Sequence, residues 1–334
     1  MGSGAARVGL IAIGIGFVWL IAAGPNAGLS DPATGLDEPQ TSVTKGPARV
    51  TFNRRPVLRF RSDEPAARFE CRIDAASFRA CRSPHRIRRL ADGRHRFRVR
   101  GVDSGGTADP TPALRRFGVV PRTETFGRSV RGRKLKVRRS GNPAARRTVL
   151  VVGSIHGDET AGHGIVRRIR AKAKGRPGID LWVARTVNPD GVSASRRANA
   201  RGVDLNRNFG VGWSPGPHGL EYPGPRAFSE PESRAVRRLI RHTRPRVTIW
   251  YHQPWGEVLA PCSGGARLER RYSRISRLPM KRCRGERLPG TATRWQERGI
   301  GGTAFVVELG GGSPSSSIER RHARAALAVA KPQR

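Results

Sequence analysis

Hydrophobic and polar positions divide the chain into two textures. Between residues 47 and 120, short runs alternate apolar with polar side chains: Val57-Leu58-Arg59-Phe60, Arg68-Phe69-Glu70-Cys71 and His95-Arg96-Phe97-Arg98-Val99-Arg100. The turn formers Asp92-Gly93 and Asp103-Ser104-Gly105-Gly106 separate such runs. A period of two broken by turns predicts a small antiparallel β-sandwich. From Thr123 onward, apolar runs alternate with helical periodicities, which predicts an α/β sheet with crossover helices over residues 121–334. The predicted strands are Thr148–Ile155, Ile179–Val187, Arg246–His252 and Thr303–Leu309. One helix is marked by Ser229 as N-cap, Glu232 completing a capping box, and an inner face of Ala235, Val236, Leu239 and Ile240. A last helix is predicted from Ile318 to Ala330.

Ahead of these lies Val8 to Ala23, an almost unbroken apolar run preceded by Arg7. It is shorter than the roughly 20 residues that span a bilayer. Residues 1–24 therefore read as a secretory signal or an N-terminal anchor. Residues 25–46, rich in Pro, Gly, Ser, Thr and Asp, read as a flexible linker. Export suits the cysteines. There are four, Cys71, Cys81, Cys262 and Cys283, in two sequence-local pairs without CxxC spacing. Disulfides Cys71–Cys81 and Cys262–Cys283 are the preferred reading, with buried free thiols the alternative. An extracytoplasmic location is expected.

The net charge of +39 is mostly arginine and is scattered, not gathered in blocks or along one helix face. That distribution argues against a nucleic-acid binder. A field this positive would still draw the protein to anionic wall polymers or membrane.

The candidate chemistry begins at Leu150–Gly162, where an apolar run ends at His156 and Glu159 follows in a small polar turn. A histidine and a carboxylate at this spacing can reach one cation, and a catalytic zinc takes such ligands while keeping a position open for water. His-x-x-Glu alone is too short to decide. Two more apolar runs, however, end in reactive residues: Val247–His252 in His252, and Phe305-Val306-Val307-Glu308 in Glu308. Ligands of open α/β sheets sit outside the carboxyl ends of the strands, and an unpartnered buried carboxylate is costly. Asn206-Arg207 adds an amide and a guanidinium fork suited to a carboxylate.

His156-Gly157-Asp158-Glu159, Asn188-Pro189-Asp190-Gly191, Arg197, Gly202-Val203-Asp204-Leu205-Asn206-Arg207-Asn208-Phe209, Tyr251-His252 and Phe305–Leu309 together resemble the zinc carboxypeptidase family (peptidase family M14), and within it the bacterial branch of murein peptide amidases. The resemblance implies a carboxypeptidase-like α/β fold, a mixed sheet with flanking helices. It implies one zinc per chain on His156, Glu159 and His252, with Glu308 as general base. Arg197 would polarise the scissile carbonyl, and Asn206 with Arg207 would hold the substrate's terminal carboxylate. The substrate would be a peptide or a murein peptide. Spacing back from Glu308 puts the base of the specificity pocket at Thr293, which argues against a pocket for lysine or arginine. No tyrosine lies between Tyr272 and Glu308, so the family's tyrosine lid is absent or replaced. Asp158 is expected to be a turn residue or a support to the ligands, not a fourth ligand.

Phe69-Glu70-Cys71, Phe78-Arg79-Ala80-Cys81, Leu90-Ala91-Asp92-Gly93 and Asp109-Pro110-Thr111-Pro112 resemble the small Ig-like modules of exported bacterial proteins. This implies an accessory or spacer role for residues 47–120, with a wall or polysaccharide ligand left open. Two other readings stand beside the peptidase. One is a zinc deacylase of the aspartoacylase and succinylglutamate desuccinylase type, which shares His-x-x-Glu and a Leu-Asn-Arg element. The other is a catalytically inactive wall-binding protein.

Overall fold

A computed structural model describes residues 38–65, 67–174, 176–259, 266–281 and 288–331. The expected signal or anchor, most of the expected linker, and Cys262 and Cys283 lie outside these residues. The chain from Glu38 onward belongs to one compact unit.

Its first part is a sandwich of strands β1 (Thr41–Lys45), β2 (Val50–Thr51), β3 (Val57–Ser62), β4 (Arg68–Ile73), β5 (Arg79–Cys81), β6 (His85–Arg86), β7 (Gly93–Val102) and β8 (Ala113–Val119). The two sheets run β1-β3-β6 and β2-β8-β7-β4-β5. Leu58, Phe60, Phe97, Val99 and Phe117 form their shared core. Pairing is antiparallel except between β2 and β8. The expected Cys71–Cys81 disulfide is present and ties β4 to β5. One boundary moves. Thr41–Lys45, inside the expected linker, pairs antiparallel with β3. Only Thr41 and Val43 turn partly inward there, too few to register as an apolar period, although β-branched residues suit a strand.

The second part is an eight-stranded mixed sheet of order β15-β14-β16-β13-β11-β12-β10-β9. Its strands are β9 (Thr123–Arg128), β10 (Lys134–Gly141), β11 (Thr148–Val152), β12 (Asp180–Ala184), β13 (Val247–His252), β14 (Trp255–Leu259), β15 (Met280–Lys281) and β16 (Thr303–Gly310). The centre, β12-β11-β13-β16, is parallel. β10 and β14 join it antiparallel on either side. The helices are α1 (Gly162–Lys172), α2 (Pro189–Ala194), α3 (Pro231–Thr243), α4 (Arg267–Ser276), α5 (Ala292–Gly299) and α6 (Ser316–Ala330). Every residue of β12 and β13 is buried, as expected for central strands covered on both faces. One core joins Val149, Val151, Tyr251, Phe305 and Val307 to Ile165 of α1, Tyr272 of α4 and Leu327 of α6. The other joins Leu150, Val152 and Trp250 to Val236 of α3 and Trp295 of α5.

The expected capping box does not form. Helix α3 begins at Pro231, and Glu230 occupies the N-cap without a side-chain cap bond. Ser229 donates to Glu230 instead, while Glu232, fully buried, accepts from the Val130 amide at 2.9 Å. The inner face of Ala235, Val236, Leu239 and Ile240 is buried as expected. Helix α6 starts just ahead of its expected position, with Ser315 as its cap.

Candidate metal centre and active site

Register places the centre. His252 and Glu308 are direct partners on the adjacent parallel strands β13 and β16, so their side chains share one face at the carboxyl ends. The third strand end is β11, after which the chain turns through Gly153–Ala161 into α1. His156 and Glu159 lie buried in that turn, whereas Asp158 is exposed. The turn can pack there because Gly157 has no side chain. A Cβ at that position would fall 2.0 Å from the Gly191 carbonyl carbon. Asn188-Pro189-Asp190-Gly191 opens α2, with the Asn188 side chain accepting from the Gly191 amide at 2.9 Å. Asn188 Nδ2 also donates to the Arg197 carbonyl. This motif therefore positions the ligand turn and Arg197 without touching the centre itself.

His156 Nδ1 lies 2.7 Å from Glu159 Oε1, and His252 Nδ1 lies 2.8 Å from Glu159 Oε2. The ligand atoms of these three buried residues all fall within 4.8 Å of one another. Ligands about 2.1 Å from a tetrahedral zinc sit roughly 3.4 Å apart, so the set is compact enough to close on one ion. The His252 contact is near in distance yet leaves Oε2 without a well-formed hydrogen bond. A buried, orphaned carboxylate oxygen between two imidazole nitrogens is what a cation satisfies. The donor set fits zinc.

Electrostatics agrees. Burial pushes the Glu159 carboxyl up, but the His156 hydrogen bond, with the nearness and charge of His252 and the charge of His156, outweighs it and holds the group at about 2. It is anionic throughout the physiological range. Asp204, fully buried, lies 3.0 Å from His156 Nε2. Burial raises Asp204 as well, and His156, Arg197 and Arg207 more than reverse that, leaving it well below the carboxylate range. A carboxylate on the far nitrogen fixes the ring's tautomer and orientation and strengthens it as a ligand. Glu308 moves the other way, to about 7, because of burial first and then the charge of Glu159, with Glu257 adding. Its Oε2 is buried and makes no hydrogen bond.

Arg197 bridges the centre and its support. Its Nε and Nη2 donate to Asp204 Oδ2 at 3.1 and 2.9 Å, and Nη1 donates to Glu159 Oε1 at 3.1 Å. Asn206 and Arg207 form a one-turn 3-10 helix over Leu205–Arg207, capped by Asp204. Asn206 Oδ1 accepts from the Ala292 amide at 3.1 Å, which ties the start of α5, and hence Thr293, to the Asn206-Arg207 turn. Arg207 meets Glu221 at 2.5 Å. Tyr272 is no lid. It is fully buried, bonded to Tyr251 and to His322.

The structure thus joins His156, Glu159, His252 and Arg197 directly, with Glu308 beside them and Asn206, Arg207 and Thr293 grouped one step away. Three carboxylates had no role in the sequence reading. Asp204 lay in a quoted motif, where a charged residue amid buried neighbours was its only signal. Glu257 pairs with Glu308 across β14 and β16, and Glu221 meets Arg207. Both depend on pairings distant in sequence.

Comparisons with known proteins point to one family. A family model described as zinc carboxypeptidase matches residues 115–263. Murein peptide amidase A of Escherichia coli (strain K12) is 30% identical over 198 residues, which are 55% of this chain and 80% of that protein. Carboxypeptidase SOL1 of Arabidopsis thaliana is 29% identical over 153 residues, 41% of this chain and 30% of that protein. Among solved structures, the murein-tripeptide amidase of Escherichia coli O157 superposes with a TM-score of 0.55 at 26% identity, over 64% of this chain and 94% of that one. A carboxypeptidase A from Helicoverpa armigera shares the fold, with a TM-score of 0.54 at 19% identity, over 62% of this chain and 67% of that one.

Proposed function

This chain belongs to the zinc carboxypeptidase family, and from that membership we propose that it is an exported amidase that removes a carboxylate-bearing residue from murein stem peptides. One observation carries the chemistry: ligand atoms of His156, Glu159 and His252 lie within 4.8 Å of one another, beside Glu308. The similarity to murein peptide amidase A supports the substrate class.

Zinc held by His156, Glu159 and His252 would supply Lewis acidity toward the scissile carbonyl and bring a water's pKa toward neutrality. The chain's own residues do the rest. Glu308, whose carboxyl sits near neutrality and whose buried Oε2 makes no hydrogen bond, takes the proton of the attacking water and delivers it to the leaving amine. Arg197, clamped by Asp204, aims a fixed positive charge at the oxygen where negative charge develops. Asp204 keeps the His156 ring in place through the reaction. Arg207 and Asn206 receive the terminal carboxylate and so set which end of the peptide enters.

Export is supported by the Cys71–Cys81 disulfide, a bond that persists in oxidising compartments. Among the described residues no helix is long and apolar enough to cross a membrane; the apolar run Val8–Ala23 would act as the export signal or anchor. The module before the catalytic part would serve as a spacer or wall contact.

The test is product identification. Zinc-loaded enzyme is incubated with ordinary peptides and with a γ-D-glutamyl-diaminopimelate peptide, and the released fragments are weighed. Release of the C-terminal diamino acid, abolished by chelation and restored by zinc, is expected. Release of acyl groups from N-acylated amino acids, with peptides untouched, would move the assignment to the deacylase reading.

A further inference from the structure

The Arg207 contact with Glu221 is unlike the other ion pairs at the centre. Arg207's side chain is 7% exposed, whereas Glu221's is 61% exposed. Among the described residues, the guanidinium's other hydrogen bond is to the neighbouring Asn206 carbonyl, at 3.1 Å. A buried cation that should receive a substrate carboxylate is thus already faced by a carboxylate, on the side open to solvent.

Glu221 does not sit on a loose arm. The next residue's carbonyl, on Tyr222, accepts from the Asp204 amide at 2.8 Å, and the Tyr222 ring stacks on His218 at 3.9 Å. The carbonyl of Pro223 takes Asn208 Nδ2 at 2.7 Å and Trp213 Nε1 at 3.1 Å. The backbone bearing Glu221 is therefore pinned to the segment that carries Arg207 and Asp204. A substrate with only a carboxylate would bring a second anion to a guanidinium whose first anion stays near. A substrate that also brings a cation would alternate the charges and keep both groups paired. Thr293, beside the same turn, offers no charge of its own.

Resting on the murein-peptide reading above, we propose that Arg207 and Glu221 form a two-charge anchor, and that Glu221 selects a departing residue bearing a free primary ammonium as well as a carboxylate, which is a diamino acid. Arg207 takes the carboxylate and Glu221 the ammonium. Glu221 is thereby a specificity residue whose removal changes preference and leaves the chemistry intact.

Two γ-D-glutamyl peptides test this. One ends in diaminopimelate, and the other in 2-aminopimelate, which keeps both carboxylates and lacks the free ammonium. With zinc-loaded wild type, kcat/KM is expected to favour diaminopimelate by about 10-fold to 100-fold, the range of one charge-assisted hydrogen bond. Glu221→Gln should lose that preference through the diaminopimelate peptide alone. Its rate on the aminopimelate peptide should stay level or rise, which also shows that the variant folds. A preference that survives in Glu221→Gln overturns the proposal. An equal gain on both peptides overturns it too, and makes Glu221 a plug on Arg207. If wild type cleaves neither peptide, the murein-peptide reading itself falls and takes this inference with it.

Discussion

Tyr251 and His252 are neighbours on β13, yet they serve two different buried polar systems. Tyr251 points to the face covered by α1, α4 and α6, where its hydroxyl lies 3.0 Å from that of Tyr272, which in turn lies 2.8 Å from His322 Nδ1. His252 points to the other face and joins Glu159, with Glu308 beside it. The first system is neutral and its members are paired with one another. Burial, with some help from the Arg321 charge, holds His322 down to about 4, and burial pushes Tyr251 and Tyr272 up. The second is charged, with buried Glu159 and Glu308 oxygens left without hydrogen bonds. Strand alternation alone separates them. Satisfied polar groups stabilise a fold, whereas an orphaned carboxylate oxygen beside two imidazoles is placed for a cation.

The comparison breaks most visibly at Glu308. Glu308→Gln should lower kcat/KM by about 10²–10⁴-fold, with zinc content and thermal midpoint close to wild type in the same preparation. Asp204→Asn should weaken zinc about 10-fold to 100-fold, read by competition with a chelator of known affinity. On the neutral side the pattern inverts. Tyr272→Phe removes the central hydroxyl and leaves partners short of a bond, costing about 1–3 kcal/mol of unfolding free energy, while kcat/KM stays within about threefold.

The smallest effect sharpens the contrast through pH. The folded-state pKa of His322 is depressed to about 4, against about 6.5 unfolded. The unfolded chain therefore binds the proton first. The contribution is full above about pH 6.5 and is lost as pH falls toward 4, amounting to about 2 kcal/mol by pH 5. Denaturant titrations at pH 7 and pH 5 should show wild type losing about that much more than His322→Gln.

How far the sequence speaks follows from the same physics. His156, His252 and Glu308 were readable because each ends an apolar run, and parallel strands bring such ends together. Asn206-Arg207 offered an amide and a guanidinium fork, and family spacing singled out Arg197 and Thr293 beside them. What pairs across long sequence distances was hidden. Glu232 reads as a capping residue until Val130 and Asn199 reach it from elsewhere. Thr41–Lys45 reads as linker because its pairing with β3, not its own apolar content, makes it a strand. Asp204, Glu221 and Glu257 are ordinary surface-type carboxylates until the fold seats them beside His156, Arg207 and Glu308.

The central claim is that His156, Glu159 and His252 together hold the catalytic ion. Metal analysis of purified wild type beside His252→Ala, after dialysis against a weak chelator, tests it most directly. One zinc per wild-type chain and almost none in the variant is the predicted result. Zinc retained in full by His252→Ala, or absent from wild type, would contradict it.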